Sequence, residues 1–102
     1  MADNILFSRI AAELDKNQLK VVKTNLFARI RRLTGRRILN HQFTHAQNCS
    51  NAREILIQCL NFERKKSVGR YYSYDVSRHI ALLESLLWVK ILEHADPQNG
   101  MS

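Results

Sequence analysis

The residues best suited to give this sequence a chemical role are its lysines and arginines. It has sixteen of them and only nine aspartates and glutamates, which leaves a net charge of +7. Residues 16–37 contain eight cations and no acid, and residues 53–70 contain five cations and two acids. Residues 1–15 and 71–102 each carry a net charge of −2. Phosphate binding requires lysine and arginine spread along a rigid element. The sequence therefore predicts a phosphate-binding surface in the middle of the chain.

We predict that this basic surface contacts the backbone of a nucleic acid, with duplex RNA favoured over DNA. A helix-turn-helix across residues 19–40, around Gly35, is the alternative for DNA. The same positive charge could instead belong to a solvated face of the protein, or to a surface that binds an acidic protein. Phe27 and the tyrosines beside Arg70 are the nearby aromatic side chains that could stack on bases. The predicted contacts are Lys16, Lys20, Lys23, Arg29, Arg31, Arg32, Arg36, Arg37, Arg64, Lys65, Lys66 and Arg70.

Histidine and cysteine side chains form a second candidate site. His41, His45 and Cys49 would share one face of a helix, and Cys59 could complete a set of four zinc ligands. The spacing is not that of a common zinc finger, so we predict neither a metal nor another cofactor. We also expect no disulfide between the two cysteines, because the sequence favours a reducing compartment.

The sequence contains no recognisable catalytic arrangement. Its acidic residues are separated from one another, and it has no glycine-rich phosphate loop and no nucleophile elbow. We therefore expect a binding protein and not an enzyme.

The location of the protein is predicted from two absences in the sequence. The longest apolar run, 80–89, is interrupted by Glu84 and Ser85 and is shorter than the roughly 20 residues that a membrane span needs. The first residues lack the pattern of a secretory signal. We expect no membrane association and a cytoplasmic or nuclear location.

The elements that position the cations are predicted to be helices, because the 102 residues include only three glycines and one proline and the apolar residues recur at helical spacing. We predict an all-α fold, a small bundle of four to five helices in one domain spanning 1–102. The predicted elements are helices at about 4–15, 17–34, 51–67 and 75–94 and a polar connection at 40–51.

Caps and apolar stripes complete the predicted bundle. The expected caps are Asp15 or Asn17, then Gly35, then Ser50 or Asn51 with Glu54, and finally Asp75. Phe62 is assigned to the inward face of the third helix. On the last helix we assign an inward stripe, made of Val76, Ile80, Leu83, Leu87 and Ile91. Outside this stripe, the helix has further apolar surface at Leu82, Leu86 and Trp88. We predict that this surface supports self-association as a helical homodimer.

Two short stretches resemble known families. Cys59-Leu60-Asn61 followed by Val68-Gly69-Arg70 resembles the RNA-facing helix of nodavirus silencing suppressors, whose helical dimers lie along double-stranded RNA. That resemblance implies phosphate contacts from Arg64, Lys65, Lys66 and Arg70.

The second resemblance is to death effector domains. Their first two helices resemble the pattern of Phe7, Ile10, Leu14, Asp15, Leu19, Val22 and Lys23, and a later helix resembles that of Ile80, Leu83, Leu86 and Leu87. The Arg-x-Asp-Leu signature of that family is absent from this sequence. The resemblance implies a helical module that acts through homotypic contacts, and it is the alternative function.

Overall fold

The structure is a computed structural model that describes residues 2–38, 40, 42–69 and 74–95. These residues form four helices and no strand, which confirms the predicted all-α bundle. The helices are α1 (Ala2–Ala12), α2 (Lys16–Thr34), α3 (His45–Gly69) and α4 (Val76–Glu93).

Both ends of α2 carry caps that the sequence predicts. The carboxylate of Asp15 accepts a hydrogen bond from the backbone of Gln18 at 2.8 Å, and the Gln18 side chain accepts one from the backbone of Asp15 at 2.9 Å. This reciprocal arrangement is a capping box. At the other end, Gly35 has a φ of 72° and donates its N–H to the carbonyl of Arg31. Glycine adopts this left-handed conformation without steric cost, so α2 ends there.

The start of α3 differs from the prediction. The helix begins at His45, so the predicted polar connection at 40–51 is wrong for its second half. Thr44 and Gln47 form a capping box, with side chain to backbone distances of 2.8 and 3.1 Å. The turn-favouring side chain of Asn48 points away from its own helix and bonds both backbone groups of Asn40, at 3.0 and 3.1 Å. Polar residues that suggest a loop can therefore belong to a helix when they bond a neighbouring segment.

The directions of the helices follow from contacts with α4. On α2 these contacts are Arg29 with Glu84 and Leu33 with Arg78, and on α3 they are Arg53 with Glu93 and Glu63 with Arg78. In both sets, later residues of one helix meet earlier residues of α4, so α4 is antiparallel to α2 and to α3. The helices α2 and α3 are therefore parallel. The described residues 35–38, 40 and 42–44 are here called the crossover segment. This segment must return along α2, which has 19 residues and is about 28 Å long.

The hydrophobic core lies between α2, α3 and α4. Ile30, Leu56, Leu82 and Val89 are all 0% exposed. The crossover segment contributes Ile38, which is 5% exposed and belongs to the same cluster. The short helix α1 packs separately on the last turns of α4, where Phe7 and Ala11 cover Ile91 and Ala95. The helix α4 thus contacts each of the other three.

The inward face of α4 is not the predicted one. Leu82 is fully buried and so cannot belong to the predicted self-association surface, and Leu86 and Trp88 are partly buried against the core. Four residues of the predicted inward stripe are 46–56% exposed, namely Val76, Ile80, Leu83 and Leu87. The buried face of α4 includes a polar residue, Ser85, and for this reason the sequence pattern assigns that face to the outside. The hydroxyl of Ser85 donates to the carbonyl of Ala81 at 2.8 Å, so its burial costs little.

Candidate nucleic-acid interface

The predicted cations fall into two groups in the structure. Lys23, Arg29 and Lys66 contact other side chains of the protein, and Arg70 lies outside the described residues. The remaining eight are exposed, and none of them forms an ion pair with an acid among the described residues. These unpaired cations are Lys16, Lys20, Arg31, Arg32, Arg36, Arg37, Arg64 and Lys65.

Lys66 belongs to a buried ionic network around Glu63, whose side chain is 1% exposed. Nε of Arg78 donates to Oε1 of Glu63 at 3.0 Å, and Nζ of Lys66 lies 3.6 Å from the same oxygen. Arg78 also donates to the carbonyl of Leu33 and so joins α2, α3 and α4. Phe62 was predicted to face inward, but it is 61% exposed and Glu63 takes the inward position. The charge of Lys66 therefore serves the fold.

Lys23 is held in a second contact between helices. Its Nζ lies 3.0 Å from Nδ1 of His45, and Nε2 of His45 lies 2.9 Å from the carbonyl of Leu92. Nε2–H donates to that carbonyl and Nδ1 accepts from Lys23, so the ring connects α2, α3 and α4. The Sγ of Cys49 also lies 3.6 Å from Nε2.

The geometry of α3 separates the side chains of the candidate metal site. Cys49 and Cys59 lie on this one helix, ten residues and about 15 Å apart, which is too far for a shared metal or a disulfide. No group of three or more metal-binding side chains occurs in the part of the chain that the structure describes, and His41 lies outside it.

Two adjoining grooves follow the outer face of α3. Glu54, Gln58, Asn61 and Lys65 are spaced four, three and four residues apart, so they share this face. The crossover segment lies beside its first half and encloses a cavity of about 750 Å³, here called the crossover groove, lined by Arg36, Arg37, Ile38, Asn40, Gln42, Phe43, Asn51, Glu54, Ile55 and Gln58. A second cavity of about 510 Å³ is lined by Asn61, Arg64, Lys65, Val68 and Gly69.

The lysines at the start of α2 lie at a different site. Lys16, Lys20 and Lys23 surround an apolar cavity of about 320 Å³, whose other lining residues are Leu19, His45, Leu92 and Ala95. The eight cations of residues 16–37 are therefore divided between this cavity, the exposed side of α2 and the crossover groove.

Aromatic side chains near the cations differ from the prediction. Phe27 is only 4% exposed and belongs to the core, and the hydroxyl of Tyr74 bonds His79 at 2.9 Å. Tyr71 and Tyr72 lie outside the described residues. The ring of Phe43 is 41% exposed and lines the crossover groove together with the unpaired Arg36 and Arg37. Its signal in the sequence is a lone aromatic residue within an uncharged stretch that closely follows two arginines.

No protein-family model, no curated protein and no solved structure matches this chain. The two resemblances seen in the sequence are thus without support from these comparisons. None of the helices in the described residues combines the length and the apolar character that crossing a membrane requires.

Proposed function

We propose that this chain is a binding protein, not an enzyme, and that it contacts the phosphate backbone of a nucleic acid, with duplex RNA favoured over DNA. One observation carries the proposal: eight of the twelve predicted cations are exposed and without an acidic partner among the described residues. Unpaired like charges repel one another and destabilise the compact state. A polyanion relieves that repulsion, and the release of its counterions favours binding.

The distribution of the unpaired cations supports contacts with several phosphates. They lie on α2, on the crossover segment and on α3, and two of them, Arg64 and Lys65, line a groove on the outer face of α3. Contacts with several phosphates make the logarithm of the binding constant fall steeply with the logarithm of salt concentration. Steep salt dependence is therefore the property to measure.

The test compares two double variants that lose the same charge. Arg64→Gln/Lys65→Gln removes two unpaired cations of the proposed interface, and Arg9→Gln/Lys90→Gln removes two exposed cations from α1 and α4. Binding of a labelled RNA duplex is measured across a salt series. We expect the first variant to reduce the salt slope by about two, and the control to change it little.

Two results would contradict the proposal. The first is no binding of duplex RNA or duplex DNA at low salt. The second is an equal loss of slope in the two variants, which would mean that only the net charge matters. Tighter binding of the DNA duplex at matched length and salt would contradict the preference for RNA.

A separate observation favours the alternative, a helical module that acts through homotypic contacts. The exposed stripe on α4 is made of Val76, Ile80, Leu83 and Leu87, whose spacing of four, three and four residues keeps them on one face. In an antiparallel pair of α4 helices, Ile80 of one copy lies opposite Leu83 of the other. The same arrangement brings Lys90 near Asp75, so opposite charges flank the apolar contact.

The homotypic alternative is tested by sedimentation at increasing protein concentration. We expect a dimer in the wild type, a monomer for Leu83→Asp and a dimer for Ser77→Asp, which adds the same charge at an exposed residue outside the stripe. Leu86→Asp is unsuitable, because Leu86 packs against the core. A wild type that stays monomeric at every concentration would exclude this function.

A further inference from the structure

The crossover groove contains groups that backbone binding alone does not require. Beside Arg36 and Arg37 it is lined by the half-exposed ring of Phe43 and by side-chain amides, including those of Asn51 and Gln58. Cations are sufficient to bind phosphates, which carry no sequence information. Aromatic rings stack on unpaired bases, and amides form hydrogen bonds with base edges. The chemistry of this groove therefore points to a base together with its phosphate.

The arginines and the aromatic ring lie at opposite ends of the groove. Arg36 follows the end of α2, which Arg78 connects to Glu63 in the second half of α3. Phe43 directly precedes the start of α3. The crossover segment therefore runs antiparallel to α3, with its arginines towards Gln58 and Phe43 towards the beginning of the helix. Between Gln58 and Asn51 the helix rises by about 10 Å, which leaves room for a phosphate at one end and a base at the other.

The floor and walls of the groove are formed before any ligand binds. Ile38 is 5% exposed and anchors the crossover segment in the core. The backbone of Asn40 is held by both side-chain atoms of Asn48, and the N–H of Gln42 donates to the side chain of Asn40 at 2.9 Å. A wall that is already ordered reduces the entropy that binding must overcome. The volume, about 750 Å³, lies within the range of roughly 300–1,000 Å³ that is typical of small-molecule sites.

Glu54 is the one acid among the residues lining the groove. Its carboxylate repels a phosphate but accepts hydrogen bonds from the amino groups of bases. Cytosine carries such an amino group and uracil does not. For a pyrimidine base in this groove, we therefore expect Glu54 to favour cytosine over uracil.

We propose that the crossover groove binds one unpaired nucleotide of the nucleic acid, with its phosphate at Arg36 and Arg37 and its base stacked on Phe43. Asn51 binds the edge of the base, and the side-chain amide of Gln58 donates a hydrogen bond to the phosphate at the arginine end. This inference rests on the proposed function and deepens it, because it adds recognition of an extruded base to backbone binding. The preferred ligand is then a duplex interrupted by an unpaired nucleotide.

The test uses three RNA duplexes of matched sequence, one perfect, one with a single bulged cytosine and one with a single bulged uracil. We expect the full chain to bind the cytosine bulge about tenfold more tightly than the perfect duplex, which is within the range for stacking of one base. The uracil bulge should bind with intermediate affinity. Phe43→Ala should abolish the preference and leave the affinity for the perfect duplex unchanged, whereas Phe43→Tyr should retain the preference.

The outcomes separate this inference from the proposed function. Equal affinity of the wild type for bulged and perfect duplexes, or a preference that survives in Phe43→Ala, would overturn the nucleotide site and leave backbone binding intact. Failure to bind any of the duplexes would overturn backbone binding. The groove is then tested directly with cytidine monophosphate, by the NMR signals of the Asn51 and Gln58 side-chain amides. Shifts of these signals support the site, and their absence overturns it.

A thermal melt of Phe43→Ala serves as the control for folding. Phe43 is 41% exposed and does not belong to the core cluster, so the variant should remain folded. If it unfolds, Gln58→Ala replaces it, because Gln58 is an exposed residue of α3 and lines the same groove. The preference for the bulge should then decrease in Gln58→Ala, and a fully retained preference overturns the site.

Discussion

Cations occur in two environments in this bundle, and the same residue types serve different purposes in each. Between the helices, Arg78 and Lys66 surround Glu63, which is 1% exposed. On the outer face of α3, Arg64 and Lys65 are exposed and pair with no acid among the described residues. The inner cations compensate a buried charge, whereas the outer ones remain available to an external anion. The positive charge of a segment therefore overestimates the size of its binding surface.

The largest effect is expected at the inner side of α4, where Leu82 is 0% exposed and its neighbour Leu83 is 51% exposed. Leu82→Ala should lower the free energy of unfolding by about 4 kcal/mol, because it leaves a cavity in the core. Leu83→Ala should change it by less than about 1 kcal/mol. Chemical denaturation of the two variants measures the difference. Equal losses would mean that α4 does not present these two leucines to opposite environments.

The next effect is expected in the ionic network around Glu63. Arg78→Met should lower the free energy of unfolding by about 3 kcal/mol, because it leaves the buried carboxylate without its closest cation. We place the value near the lower end of the usual range because the side chain of Arg78 is 35% exposed.

The double variant Glu63→Gln/Arg78→Met is the control for this network. Since the buried charge is then absent, we expect it to be more stable than Arg78→Met alone. Stability losses of the two single variants that simply add up in the double variant would show that Glu63 and Arg78 are not coupled.

The presence of a helix and the positions of its ends could be predicted where interactions between neighbouring residues determine them. Asp15 and Gly35 act on their own neighbours in the chain, so the sequence predicts both ends of α2. The start of α3 was missed because the side chain of Asn48 bonds Asn40 in the crossover segment. The path of that segment follows from the parallel arrangement of α2 and α3, which depends on contacts with α4. No local pattern contains that information.

The candidate site could be predicted by residue type but not by arrangement. The sequence indicates which residues are cationic, but it does not show that Lys66 and Arg29 find acids on other parts of the chain, Glu63 and Glu84. The groove itself was missed, because Phe43 and Gln58 meet only when the crossover segment returns along α3. On α4, two apolar stripes have the same period, and only the tertiary structure shows which of them is covered.

The smallest effects on stability are expected for two arginines of α2 that differ in whether they pair with an acid. Arg29 pairs with Glu84 at 3.2 Å, whereas Arg32, three residues later, is exposed and forms no ion pair with a described residue. Arg29→Gln and Arg32→Gln should each change the free energy of unfolding by less than about 1 kcal/mol, because an exposed ion pair contributes little.

The two arginine variants should differ in binding to duplex RNA. Arg32→Gln is expected to reduce the salt slope by about one, as for the loss of one phosphate contact. Arg29→Gln should reduce it less, because Glu84 already compensates that charge in the free protein. Equal reductions would mean that a phosphate displaces Glu84 readily, and the division between paired and unpaired cations would then hold only for buried pairs such as Glu63 with Arg78.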